Sequence, residues 1–261
     1  LTDKNINWSG RWVDLDDGSK QASFESYVEI KFTGTSLQIN IDKSWTYVQI
    51  DGGEVKTKNF TKNSFSSVAK NLAKGTHSIK IFAIAQEHRP IIKGFKIDAG
   101  AQTLPVGNVK NIEFIGDSIT SGCANLVSVQ SVAGLRHGNA YMAYGSQTAR
   151  LLNADWCNVA ISGGTLVNTN GERAHIPTEF LKITTCKNEF FDFINARKPN
   201  IVVINLGTND NGFIKNRPDK EYYIKVLIEE FAKTVIEKYS KQVKIVFAFG
   251  MMTGSVHYIN D

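Results

Sequence analysis

Three short stretches combine glycine with side chains that can attack a carbonyl or donate a hydrogen bond. They are Gly116-Asp117-Ser118-Ile119-Thr120, Ile161-Ser162-Gly163-Gly164-Thr165 and Leu206-Gly207-Thr208-Asn209-Asp210. Ser118 follows a tight glycine turn, where a serine is exposed and its own N–H can face a developing oxyanion. Gly163 offers a backbone N–H with no side chain in the way, and Asn209 offers an amide donor. One nucleophile with three converging donors, from Ser118, Gly163 and Asn209, would form an oxyanion hole. Taken singly, each stretch has a plain structural reading: a turn, a loose connection, a helix N-cap. Their order, and the apolar strand that precedes each, give the set its meaning.

Those strands belong to the second of two segments with different periodicity. Up to about residue 100 the chain alternates in the manner of β-structure. Apolar positions alternate from Tyr27 to Ile41 around a Gly34 turn, and Trp45 to Ile50 ends at Asp51-Gly52-Gly53. His77 to Ala85 places Ile79, Ile81 and Ala83 on one side, and Ile91 to Ile97 follows Pro90. Short runs between Gly, Asn and Asp predict an antiparallel β-sandwich without helices. After a boundary around Gly100 to Gly107, strands alternate with helices. Strands are predicted over Asn111 to Ile115, Cys157 to Ile161, Ile201 to Leu206 and Val243 to Phe249, the last as a buried strand. Helices are predicted over Asn139 to Leu152, Phe190 to Ala196 and Asp219 to Tyr239. The last helix carries a stripe of Tyr223, Leu227, Phe231 and Val235. This is the grammar of a parallel sheet covered on both faces, whose sites form at the carboxyl ends of its strands. The expected fold class is α/β: an antiparallel, jelly-roll-like sandwich over 1–104, then an α/β/α domain over 109–261.

The order of the three stretches resembles the first three blocks of the SGNH, or GDSL-like, hydrolases, over Asn111 to Met252. The resemblance implies that Ser118 is the nucleophile and that Gly163 and Asn209 complete the oxyanion hole, with Gly164 as the fallback. The chain resembles carbohydrate esterase family two more closely. That family sets a jelly-roll sandwich before an SGNH domain and removes acetyl groups from sugar hydroxyls of plant polysaccharides without a metal. The stretches carrying this likeness are Gly138 to Gly145, continuing Thr148 to Ala154, together with Val203 to Asp210 and Gly250-Met251-Met252. The function implied is a serine esterase acting on acetylated polysaccharide or oligosaccharide such as xylan or glucomannan. It would need no cofactor and no metal, and its setting would be extracellular. Asp210 and His137 are possible substrate contacts. The alternative is a non-catalytic polysaccharide-binding protein on the same scaffold.

The sequence departs from the family at the base. The family's late Asp-x-x-His block has no counterpart here, which leaves His137, His175 and His257 as candidates, while His77 and His88 fall in the sandwich. An apolar last strand with no successor predicts that Asn260-Asp261 is not a natural domain end. A C-terminal fragment of the same protein, bearing the histidine, is therefore an expected partner.

The remaining composition is ordinary. Across 261 residues, 42% are hydrophobic and 21% charged, with a net charge of +5. The densest charge, Lys220 to Lys244, mixes both signs, which argues against a nucleic-acid or membrane surface. No apolar run is long enough to span a bilayer. Three cysteines, Cys123, Cys157 and Cys186, lack zinc-site spacing. The sequons Asn7-Trp8-Ser9 and Asn59-Phe60-Thr61 fit a secreted protein.

Overall fold

The computed structural model describes residues 1–61, 63–83, 89–107, 109–126, 138–184 and 189–248. His88, His137, Cys186, Phe249, His257 and the Gly250-Met251-Met252 stretch lie outside the described residues. The chain divides into two compact units that meet between Val109 and Lys110.

The first unit is antiparallel throughout. Its strands are β1 (Asn7–Asp14), β2 (Lys20–Gly34), β3 (Leu37–Ile41), β4 (Ser44–Ile50), β5 (Lys56–Phe60), β6 (Ser64–Ala69), β7 (Gly75–Ala83), β8 (Ile91–Ile97) and β9 (Thr103–Leu104). One layer runs β5–β4–β7–β2, with β1 and β9 also on β2. The other runs β6–β3–β8, and Lys20 and Gln21 of β2 pair with β8. Alternate residues of the central strands fill the space between layers: Val28, Ile30 and Phe32, Leu37, Ile39 and Ile41, Ile79 and Ile81. Period-two alternation is why the sequence showed these strands. Each fully buried side chain of this kind stabilises the fold by roughly 1.5–3 kcal/mol relative to exposure.

Among the described residues the second unit carries four parallel strands in the order β11–β10–β12–β13. They are β10 (Asn111–Gly116), β11 (Asp155–Ala160), β12 (Ile201–Asn205) and β13 (Lys244–Phe247). Its helices are α1 (Ser118–Ser121), α2 (Tyr144–Leu151), α3 (Ile176–Phe180), α4 (Asn211–Ile214) and α5 (Lys220–Lys238). Successive residues of β10 face opposite ways. Phe114 meets the Tyr144 ring of α2 edge-on at 5.8 Å. Its neighbour Glu113 accepts from the hydroxyl of Tyr239, just past α5, at 2.8 Å. The two helices therefore cover opposite faces of the sheet.

Four details differ from the sequence reading. The 139–152 segment is a 3-10 turn over Ala140–Met142, then extended Ala143, then α2. Phe190 to Ala196 forms no helix, because Asp192 takes the N–H groups of Ile194 and Asn195, and Ile194 is 87% exposed. On α5 the buried residues are Ile224, Ile228, Phe231 and Val235. The stripe must step by three once to follow a 3.6-residue turn, so a run of fours drifts off it. Strand β13, expected to be buried, leaves Val246 47% exposed, and among the described residues it pairs with β12 alone.

Candidate active site

Register puts the three loops at one edge. Gly116 of β10 lies beside Ala160 of β11 and Asn205 of β12. All three strands are parallel, so the chain leaves this common row at 117, 161 and 206 in the same direction. A Cβ on Gly116 would collide with the Thr120 side chain and lie 2.7 Å from the Asn205 carbonyl oxygen. Only glycine lets α1 turn so closely against β12.

Asp117 is the N-cap of α1, and its carboxylate accepts from Ile119 N–H at 2.9 Å. This leaves Ser118 as the first residue of α1, half-buried at the strand end. Neither its N–H nor its hydroxyl has a hydrogen-bond partner among the described residues. The short helix is braced from behind. Asn158 donates to Thr120 O at 3.0 Å, and the hydroxyls of Thr120 and Tyr144 meet at 3.2 Å.

The second and third loops close on the first. The Ser121 and Ser162 hydroxyls meet at 3.3 Å. Asn209 Nδ2 donates to Asp117 Oδ2 at 3.2 Å and to Gly164 O at 3.0 Å. One amide thus ties all three loops together. Gly163 adopts φ +79°, which disfavours any other residue. Its N–H has no acceptor among the described residues, whereas Gly164 N–H donates to Ile161 O at 2.9 Å. Between the two glycines, only Gly163 keeps a donor available. Gly164 instead packs against Ile176, where a Cβ would find Cγ1 at 2.7 Å.

Two carboxyls lie beneath these loops. Burial lifts Asp117 above the usual carboxylate range, against the opposing hydrogen bonds from Ile119 and its own backbone. Burial also pushes Asp210 up to about 6, helped by the neighbouring Asp117 charge and opposed by the amides of Val167 and Leu166. Asp210 has no solvent exposure. Its Oδ1 accepts from Val167 N–H at 2.7 Å, while Oδ2 has no hydrogen-bond partner among the described residues. A residue expected as a possible substrate contact is thus placed inside the protein, under the 161–167 loop.

His175 is on the same loop system, but both its nitrogens are engaged. Nε2 lies 3.0 Å from Leu166 O, and Nδ1 lies 2.7 Å from Thr178 Oγ1. A carbonyl can only accept, so Nε2 carries the proton and Nδ1 accepts from Thr178. Burial holds the ring's pKa below its ordinary value. His77 sits in the sandwich between Asp51 and Ala73 O. His137 and His257 lie outside the described residues.

Sequence reasoning missed Asp117 as the partner of Asn209, and it missed Arg173, whose side chain lies over Gly163. An aspartate beside the nucleophile in a glycine turn was the available signal for the first. The second had none, because ten residues separate Arg173 from the glycine it covers.

Comparison with known proteins agrees with this architecture. Residues 8–106 match the family described as Carbohydrate esterase 2 N-terminal, and residues 114–259 match the GDSL-like Lipase/Acylhydrolase family. The chain is 31% identical over 231 residues to the cellulase/esterase CelE of Acetivibrio thermocellus, covering 84% of this chain and 28% of that protein. It is 30% identical over 195 residues to an acetylxylan esterase / glucomannan deacetylase of Cellvibrio japonicus, covering 70% of this chain and 54% of that one. The chain therefore spans about half, or less, of the length of these curated relatives. A family two carbohydrate esterase from Clostridium thermocellum, solved in complex with cellohexaose, aligns with a TM-score of 0.78 at 27% identity, over 96% of this chain and 79% of that one.

Proposed function

The chain belongs to the GDSL-like lipase/acylhydrolase family, and from that premise we propose that it is a serine esterase removing O-acetyl groups from carbohydrate. The observation that carries this reading is the pair of available N–H donors, Ser118 and Gly163, on loops that the Asn209 amide draws together. Ser118 Oγ attacks the acetyl carbonyl, and its proton passes to a base. The tetrahedral oxyanion is received by the N–H groups of Ser118 and Gly163. Asn209 Nδ2 serves as third donor by giving up its longer bond, the one to Asp117. The C–O bond to the sugar then breaks, the sugar oxygen takes the proton, and water frees acetate from the acyl-enzyme.

The base is a residue other than His175, and His137 and His257 are this sequence's other candidates on the second unit. His175 has no nitrogen to offer, since a general base must present a lone pair to the proton it takes. The match to Carbohydrate esterase 2 N-terminal and the name of the Cellvibrio japonicus relative favour acetylated plant polysaccharide, xylan or glucomannan, as substrate. A polymeric substrate favours an extracellular setting, and among the described residues no helix is long and apolar enough to cross a membrane. The two-layered first unit is read as jelly-roll-like.

Ser118→Ala should lower acetate release from acetylated xylo-oligosaccharides by about a million-fold, the scale seen when a serine nucleophile is removed. Turnover retained in that variant would overturn the reading. Oligosaccharide binding by an unmutated protein that releases no acetate would favour the non-catalytic alternative.

A further inference from the structure

The loop after β11 carries a cation that the ester chemistry above does not use. A Cβ on Gly163 would lie 2.7 Å from Arg173 Nη1, so the guanidinium rests directly over the glycine proposed to receive the oxyanion. Among the described residues this guanidinium makes no hydrogen bond and no ion pair. Other guanidinium groups of the second unit do: Arg197 pairs with Asp155, and Arg217 with Asp219.

The arginine is held on a built turn. Arg173 N–H donates to Thr169 Oγ1 at 2.8 Å, and the same hydroxyl reaches Arg173 O at 3.4 Å. The chain reverses between them through Asn170 and Gly171, at φ 53° and 94°. The next residue, Ala174, accepts from Thr165 N–H at 2.9 Å. The backbone is therefore fixed while Arg173 as a residue stays exposed. A guanidinium presents donors in a planar fork that matches a carboxylate. A neutral sugar would leave that charge unused.

We propose that Arg173 is a specificity-determining residue that takes the carboxylate of a uronic acid unit next to the acetylated sugar. The inference rests on the esterase reading for the placement of the reacting carbonyl near Gly163. The competing role is mechanical, with Arg173 merely propping the Gly163 turn.

Three acetyl esters separate the two roles: a neutral acetylated xylo-oligosaccharide, the same oligosaccharide with a glucuronic acid branch, and 4-nitrophenyl acetate. The unmutated protein should favour the branched substrate by about tenfold in kcat/KM, the scale of one charged hydrogen-bonded contact. Arg173→Gln should erase that preference and leave the other two rates within about twofold. Added salt should shrink the preference, because the residue is exposed. Equal rates on the two oligosaccharides for the unmutated protein would overturn the proposal. So would an Arg173→Gln variant that slows 4-nitrophenyl acetate as much as the branched substrate. Failure of the esterase reading would show separately, as no acetate from any substrate. Calorimetry in the Ser118→Ala protein then still decides the role of Arg173. About tenfold weaker binding of the branched oligosaccharide on adding Arg173→Gln supports it, and unchanged binding sinks it.

Discussion

Aspartates in the sandwich and aspartates beneath the active-site loops stand in opposite electrostatic conditions. Asp98 accepts from the Ser36 hydroxyl, from Thr35 N–H and hydroxyl, and from Ser36 N–H, and these bonds hold its carboxyl below the ordinary range. At Asp51 burial pushes the other way, but His77 and Ser78 N–H outweigh it. Asp117 and Asp210 are each fully buried with few donors, and burial wins. The division follows position rather than unit. Asp192 and Asp219, on the surface of the second unit, are held low like the sandwich residues. Carboxylates that staple turns have donors in surplus. The pair beneath Ser118 and Asn209 is set apart by burial, and Asp210 Oδ2 has no hydrogen-bond partner among the described residues; carboxyls perturbed in this way cluster at functional sites.

The sharpest way to probe this contrast is to remove the amide that donates to Asp117. Asn209→Ala takes away one oxyanion donor and one of the donors to Asp117. Loss of such a donor typically lowers kcat by about 10²–10³, or roughly 2.7–4 kcal/mol. We expect that loss in acetate release, with KM little changed. Asp98→Asn in the sandwich should leave kcat alone and lower only thermal stability. A fall of less than about tenfold in Asn209→Ala would remove this residue from the oxyanion hole.

Acid should move the two regions in opposite directions. The Asp210 carboxyl rises from 3.8 to about 6 on folding, so the native state binds its proton more tightly. Its contribution to stability is fully present below about 4 and is lost as pH rises through about 6, by up to about 3 kcal/mol. Asp117 shifts in the same direction. Asp98 and Asp51 are depressed, so their contribution is present above 3.8 and lost as pH falls through their folded values. Trp8, Trp12 and Trp45 report on the first unit and Trp156 on the second. Denaturant unfolding followed by fluorescence of single-tryptophan variants, from about pH 2 to about pH 7, would read the two separately. Asp210→Asn should flatten the second unit's profile. Equal pH dependence in Asp210→Asn and the unmutated protein would show that this carboxyl is not raised.

Much of this architecture was legible because burial repeats at the period of the backbone. Ile79 and Ile81, or Val28, Ile30 and Phe32, declare a strand by alternation alone. The three loops were legible because each sets glycine beside a polar residue directly after an apolar strand. Strands β5 and β6 were not, since Lys56-Thr57-Lys58-Asn59 and Ser64 to Ser67 lie mostly toward solvent and carry little apolar signal. The false helix at 190–196 failed for a local reason, the Asp192 side chain competing for backbone N–H groups. Which glycine offers its N–H, and where Arg173 rests, depended on φ angles and on contacts across a turn that no periodicity encodes.

The smallest expected effect concerns the histidines, where the same contrast returns with the sign reversed. In the sandwich, the Ala73 carbonyl and then Asp51 raise the His77 pKa, favouring the cation. Near the site, burial lowers that of His175, favouring the neutral ring. A neutral histidine under active-site loops invites assignment as the base. The geometry opposes it, because Leu166 O fixes the proton on Nε2 and the Thr178 hydroxyl occupies the Nδ1 lone pair. His175→Ala should therefore cost stability of about 1 kcal/mol for each hydrogen bond lost. Acetate release should fall by no more than about fivefold, through loosening of the segment that carries Gly163. The acid limb of the pH–rate profile should not move, since the titrating base lies elsewhere. A thousand-fold loss, or a shifted acid limb in a variant that still folds, would instead make His175 the base and require its Thr178 bond to break during turnover.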